Sequence, residues 1–189
     1  MRMVEKVHRE LALCLRSGDL AIDATAGNGH DAAFLADLVG DSGKVYAFDL
    51  QPAAIEATNK RLVQAGLLDR CVLHQAGHER MEDILPPESR GRIRAIVFNL
   101  GYLPGSDKTV ATTVENTLLA LEVALVWLAP DGLLTVTAYR GHPGGMREAQ
   151  EVEERFANLD AEFFLVAAER ASSDPTSPIL FLVRKRNQA

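Results

Sequence analysis

The chain has 189 residues, 47% of them hydrophobic and 24% charged, with a net charge of −6. That is enough chain for one globular core of ordinary composition, and its acidity gives no overall attraction to nucleic acid, so an RNA contact needs a local basic patch. No apolar run reaches the length of a membrane span, the charged amphipathic start is unlike a signal peptide, and Cys14 and Cys71, far apart and outside any CxxC spacing, predict reduced thiols, a cytoplasmic location and no metal centre.

Val4, Val7, Leu11 and Leu15 recur at helical spacing and predict a helix over residues 3–16, closed by Ser17-Gly-Asp19. This N-terminal segment, 1–18, precedes a core, 19–189, in a single domain. Leu20 to Ala24 reads as a short buried strand. Gly27 and Gly29 follow, then a helix over 31–39. A strand, a glycine turn and a helix in that order turn backbone N–H groups toward a ligand. Lys44–Asp49 reads as a second strand, and Asp49 lies about 20 residues past the turn, where a carboxylate holds ribose hydroxyls. The cofactor therefore carries a ribose. A dinucleotide and S-adenosylmethionine both fit, and Gly27-x-Gly29-x-x-Ala32 does not choose between them.

Pro52 opens a helix that runs to Ala65 and stops at Gly66. Residues 70–74 predict a third strand, 77–85 a loop and short helix, and 93–99 a fourth strand apolar enough for mid-sheet. After a loop over 100–107, with Asp107 as N-cap, a helix runs from about Lys108 to Leu128. Thr113, Thr117, Ala120, Leu121 and Ala124 are its inner positions. A turn at 129–132, a strand over 133–138 and a glycine-rich loop over 139–145 follow. A charged amphipathic helix over 146–158 precedes strands at 162–167 and 179–183, joined through a loop at 172–178. Arg184-Lys-Arg186 reads as a solvated basic tail.

This alternation predicts an α/β fold: a doubly wound, Rossmann-like, mostly parallel seven-stranded sheet with a C-terminal antiparallel edge hairpin. That ending fits a class I methyltransferase better than a dehydrogenase, which would need room for a second domain.

Ligands of such sheets lie beyond the carboxyl ends of the strands. Those ends carry Asp23, Ala24, Thr25 and Asn28; Asp49, Leu50 and Gln51; Gly77 and His78; Asn99 to Pro104; and Tyr139, Arg140 and His142. Asp23 can face a sulfonium or an amino group, while His30 and Asp31 start a helix. Asn99-Leu-Gly-Tyr102 stands where amino-directed methyltransferases carry Asn/Asp-Pro-Pro-Tyr/Phe. Methyl transfer to nitrogen is an in-line displacement that needs a neutral amine. An amide oxygen and a backbone carbonyl can aim its lone pair, and an aromatic ring can stack on a base. Positioning supplies most of the rate, and His142, Tyr139 or water takes the proton. Lys108, Arg140 and Arg147 suit phosphates. His8 and His74 have no role in this reading.

Asp23-Ala-Thr-Ala-Gly-Asn-Gly-His-Asp31, Tyr46-Ala-Phe-Asp-Leu-Gln51, Phe98-Asn-Leu-Gly-Tyr-Leu-Pro-Gly-Ser-Asp-Lys108 and Tyr139-Arg-Gly-His-Pro-Gly-Gly145 together resemble the rRNA methylase family, in order along nearly the whole chain. The resemblance implies S-adenosyl-L-methionine as methyl donor, S-adenosyl-L-homocysteine (SAH) as product, and methylation of 5-aminomethyl-2-thiouridine at tRNA position 34. It implies catalytic roles for Asn99, Tyr102, Tyr139 and His142. A cofactor seat over Asp23–Thr25, Gly27–Gly29, Asp31, Asp49–Gln51, Gly77, His78 and Asn99 follows. So do substrate contacts from Leu100, Gly101, Tyr102, Pro104, Lys108, Arg140 and Arg147, a tRNA anticodon stem-loop partner, and a homodimer. Transfer to rRNA or to a small amine is the alternative. One departure is Ser172-Ser-Asp-Pro-Thr-Ser-Pro178, where the family carries an asparagine-rich loop followed by paired prolines.

Overall fold

A computed structural model describes residues 2–101 and 112–188. Seven strands, β1 (Leu20–Asp23), β2 (Lys44–Asp49), β3 (Cys71–Gln75), β4 (Ile93–Leu100), β5 (Leu128–Ala138), β6 (Phe164–Arg170) and β7 (Ile179–Lys185), form one sheet in the order β3-β2-β1-β4-β5-β7-β6. The first five pair in parallel, whereas β7 runs antiparallel to both β5 and β6. The edge hairpin expected from the sequence is therefore present, with β6 outermost.

Helices α1 (Met3–Cys14), α2 (His30–Val39) and α3 (Pro52–Ala65) cover one face of the sheet. Val7, Leu11, Leu35 and Leu62 pack there against Ala21, Val45, Ala95 and Val97. The other face lies under α4 (Met81–Ile84), α5 (Val114–Trp127) and α6 (Gly145–Ala157), with Phe48, Phe98, Leu121 and Phe156 fully or nearly fully buried. Each such side chain contributes about 1.5–3 kcal/mol of transfer free energy. Strand residues buried on both faces explain why Ala95–Phe98 of β4 reads as a continuous apolar run.

Strand order reverses between β1 and β4. The crevice beyond their carboxyl ends is the topological switch point where ligands of such sheets bind, and Asp23 and Asn99 stand at its two sides.

Four sequence expectations are corrected. Thr113 is an exposed N-cap, its Oγ1 accepting from the Asn116 N–H at 3.4 Å, rather than an inner position of α5. β5 starts at Leu128, and the expected turn at 129–132 is an irregularity within it, where Asp131 takes φ 59°. β6 lies two to three residues later than its alternation implied. Arg184 and Lys185 belong to β7 and not to a tail: Lys185 Nζ donates to the Leu128 and Leu125 carbonyls at 2.8 and 3.4 Å, where α5 ends and has no basic residue of its own.

Candidate functional site

The glycine turn owes its shape to two left-handed residues and to the helix behind it. Gly27 and Gly29 have φ of 55° and 76°. A Cβ at Gly29 would lie 2.8 Å from Thr58 Cα, so only glycine lets α3 approach this closely. Thr58 Oγ1 donates to the Gly27 carbonyl at 3.2 Å, and Arg61 Nε to the Asn28 carbonyl at 2.7 Å. His30, exposed at the start of α2, sits 3.0 Å from Arg61 Nη2.

Asp49 is fixed from both sides. Its Oδ2 accepts from the Gly27 N–H and its Oδ1 from the Gln51 N–H, each at 2.9 Å. A carboxylate has about four acceptor positions, so Asp49 keeps capacity for hydroxyl donors. Leu50 beside it is 63% exposed. Gly77 is half-buried, and His78 is buried edge-on to Phe98 with ring centroids 5.5 Å apart. Burial pushes the His78 pKa down and keeps its ring neutral.

Asp23 is the most strained electrostatic element. It is fully buried; Oδ1 accepts from the Thr25 N–H at 3.2 Å, and Oδ2 makes no well-formed hydrogen bond among the described residues, although the Ala32 N–H lends the carboxyl some support. Burial first, then the charges of Asp31 and Asp49, push its carboxyl well above the ordinary carboxylate range. An open carboxylate oxygen in so buried a place is costly unless a cation or donor meets it. This orphaned atom, the left-handed turn and the anchored Asp49 fit a ligand that is cationic at one end and carries a ribose at the other.

Asn99 closes the crevice opposite. Its backbone N–H donates to Thr25 Oγ1 at 2.7 Å, and Nδ2 donates to Asp31 Oδ2 at 2.8 Å. The other Asp31 oxygen lies 2.7 Å from His8 Nε2. These groups line a cleft of ≈ 900 Å³ together with Gly27, Asn28, Tyr139, Arg140 and His142. Tyr139 is 39% exposed; partial desolvation, followed by the Asp31 charge, raises its pKa, so the phenol keeps its proton. His142 is buried with Nδ1 donating to the Pro143 carbonyl at 3.0 Å. It packs so closely on the loop that a Cβ at Gly145 would lie 2.6 Å from its Nε2.

The structure thus brings together Thr25, Gly27 and Asn28 of the turn with Asp31, Asn99, Gly101, Tyr139, Arg140 and His142 in one cleft wall. Leu100 is fully buried in the core, and only its carbonyl reaches toward this loop, accepting from the Tyr139 N–H at 3.0 Å. Arg147 is exposed on α6, 3.9 Å from Glu151, and is not part of the cleft wall; nor are Asp23, Ala24, Gly29, Asp49, Leu50, Gln51, Gly77 and His78 among the residues of this wall. Tyr102, Pro104, Asp107 and Lys108 lie outside the described residues.

Sequence reasoning missed Arg2 and Val4, which line the cleft, and three further residues in or beside it. His8, set aside there, lines the cleft, because α1 docks beside α2; no local signal reports that docking. Thr176 brings the 172–178 loop to the same cleft. Glu148 is 2% exposed, its two oxygens accepting from Thr112 Oγ1 and Thr117 Oγ1 at 2.7 and 2.6 Å. Thr112 in turn donates its N–H to the Gly101 carbonyl at 2.9 Å, so this buried acid ties α6 to α5 next to the site. Its place on the apolar face with Gly145, Ala149, Val152 and Phe156 was readable from helical spacing.

Comparison with known proteins identifies the family of this fold. The family model described as "Putative rRNA methylase" matches residues 45–185. A tRNA (mnm(5)s(2)U34)-methyltransferase, chloroplastic, of Arabidopsis thaliana is 37% identical over 98% of this chain and 70% of its own length. A crystal structure from Clostridium thermocellum, described in the family's own words, superposes with a TM-score of 0.92 at 35% identity, covering 98% of both chains. A Streptococcus mutans protein described as a methyltransferase, in complex with SAH, gives 0.87 at 34% identity over 98% of both chains. The matched model covers most of the chain and these relatives align along nearly all of it: the chain belongs to the rRNA methylase family.

Proposed function

We propose that this chain is an S-adenosyl-L-methionine-dependent N-methyltransferase that converts 5-aminomethyl-2-thiouridine at tRNA position 34 to 5-methylaminomethyl-2-thiouridine. The observation that carries the reading is Asn99. Its amide nitrogen is committed to Asp31 at 2.8 Å, and the residue lines the cleft next to the glycine turn. A carboxylate only accepts, so the amide must present Nδ2 to Asp31 and keep Oδ1 for another donor. A primary amine is such a donor: one of its N–H groups to Oδ1 turns its lone pair elsewhere.

The donor supplies an electrophilic methyl on a sulfonium. Around it, the Gly27–Gly29 turn, its Gly27 and Gly29 N–H groups committed to Asp49 and the Ala26 carbonyl, lets the ligand lie close to the backbone; Asp49 accepts ribose hydroxyls, and Asp23 Oδ2 meets the positive end. Fixing amine and methyl in line is worth more than any single charge. Tyr139, still protonated, is not available as a base, and solvent at the open mouth of the cleft takes the proton that the amine must shed. Arg140, part of the cleft wall, suits a phosphate of the anticodon stem-loop, which answers the acidity of the chain with one local cation. The Arabidopsis relative, a tRNA methyltransferase of the same base by name, supports this acceptor.

The whole chain serves as one catalytic domain. Free Cys14 and Cys71 suit a reducing cytoplasm, and no helix among the described residues is long and apolar enough to cross a membrane. A homodimer is consistent with β6, an outermost strand with Leu165 and Val166 exposed at 49% and 41%. The test is transfer of a labelled methyl group to separated tRNA, rRNA and small-amine fractions. Label in the wobble nucleoside of tRNA supports the reading; label confined to rRNA or to small amines overturns it.

A further inference from the structure

His8 lines the cleft and, like His30 and His142, has no part in the reading above. It comes from α1, outside the sheet, and Arg2 and Val4 of the same segment also line the cleft. His8 is held in two ways. Its ring stacks on Phe34 of α2 with centroids 3.8 Å apart and planes 6° from parallel. Its Nε2 lies 2.7 Å from Asp31 Oδ1. Asp31 is also on α2, so one helix supplies both the plate and the acceptor.

The proton positions follow from chemistry. Asp31 accepts on both oxygens, so His8 Nε2 carries a hydrogen and Asn99 presents Nδ2. The result is a directed chain: His8 Nε2–H to Asp31, and Asn99 Nδ2–H to the other oxygen of Asp31. Without His8, Asp31 has one partner fewer and can rotate about χ1 and χ2, and the Asn99 amide turns with it. The backbone N–H of Asn99, tied to Thr25 Oγ1, holds the main chain but leaves the amide plane to Asp31.

We propose that His8 is a positioning residue for methyl transfer: through Asp31 it fixes the Asn99 amide so that Oδ1 faces the amine. The inference rests on the proposed reaction, in which Asn99 Oδ1 aims the acceptor. It assigns a function to the docking of α1, which brings a residue of the N-terminal helix into the reaction geometry. A misaimed acceptor lowers turnover without weakening a cofactor seat built from β1, β2 and the glycine turn.

The experiment uses the full chain with His8→Ala and His8→Gln, the second keeping a side-chain N–H donor of similar reach. Three quantities are read: steady-state kcat and KM on tRNA, SAH affinity by calorimetry, and the Asn99 side-chain NH₂ signals in ¹⁵N-labelled ligand-free protein. His8→Ala is expected to lower kcat about tenfold, to leave KM and SAH affinity within about twofold of wild type, and to move the Asn99 NH₂ signals. His8→Gln is expected to restore most of the loss. Unmoved Asn99 signals, an unchanged kcat, SAH affinity falling in step with kcat, or no recovery in His8→Gln would each overturn the proposal. A wild-type protein that does not methylate the tRNA amine overturns the reading of the reaction instead. The spectra alone then decide the coupling: shifted signals uphold it and unshifted ones refute it.

Discussion

Asn99→Asp tests the core of the site by a change of one heavy atom. It replaces the Nδ2 donor, 2.8 Å from Asp31 Oδ2, with a second acceptor. The Asp31 side chain is 15% exposed, so water screens the new pair only in part. Two unit charges 2.8 Å apart repel by about 6 kcal/mol at an effective dielectric near 20. Rotation of either group relieves some of that, and the remainder makes the pair retain one shared proton. In the variant the folded state therefore holds a proton that the unfolded chain has released. Its stability matches wild type most closely at low pH and is lost as pH rises from the ordinary carboxylate range through the raised pKa of the pair. Thermal unfolding followed by circular dichroism should show a small deficit near pH 5. The deficit should grow to about 2 kcal/mol at pH 8, or about 4–8 °C in Tm for a domain of this size. Asn99→Ala, which adds no charge, should show a deficit that does not change with pH. Equal pH profiles for Asn99→Asp and wild type would refute the Asp31–Asn99 contact and with it the account of how the amine is aimed.

Asp23→Asn should stabilise the ligand-free protein, increasingly so as pH rises, because burial raises the Asp23 pKa and the ionised form is what destabilises the fold. The same variant should bind S-adenosyl-L-methionine about tenfold more weakly, since it cannot ionise to meet the sulfonium; calorimetry at neutral pH measures this. Gly29→Ala places a Cβ 2.8 Å from Thr58 Cα at φ 76° and should cost about 2–5 kcal/mol in denaturant unfolding. Glu148→Ala leaves the hydroxyls of Thr112 and Thr117 without their acceptor and opens a void. It should cost about 2–4 kcal/mol at unchanged m-value, with Glu148→Gln losing about half as much.

What could be read from the sequence was local or periodic. Gly27, Gly29 and Asp49 announce their roles through spacing, and β4 announces its central place through the apolar run Ala95–Phe98. The mostly parallel, doubly wound sheet with its edge hairpin follows from alternation and the handedness of crossovers, whereas the strand order came from the structure. Thr113 was misplaced because a threonine on a helical stripe and a threonine at a cap look alike until the helix start is known. The Arg184-Lys-Arg186 run looked solvated because charge patterning says nothing of the carbonyls that Lys185 reaches. His8 was invisible for a deeper reason: its partner Asp31 is 23 residues away and meets it only when α1 packs beside α2. Contacts between elements decide such roles, and no window along the chain contains them.

The most direct test of the central claim is nucleoside mass spectrometry of tRNA that bears 5-aminomethyl-2-thiouridine, incubated with the purified protein and S-adenosyl-L-methionine. The account predicts that this nucleoside is replaced by 5-methylaminomethyl-2-thiouridine, and that Asn99→Ala abolishes the replacement. An unchanged 5-aminomethyl-2-thiouridine peak, with a control methyltransferase active under the same conditions, would contradict it.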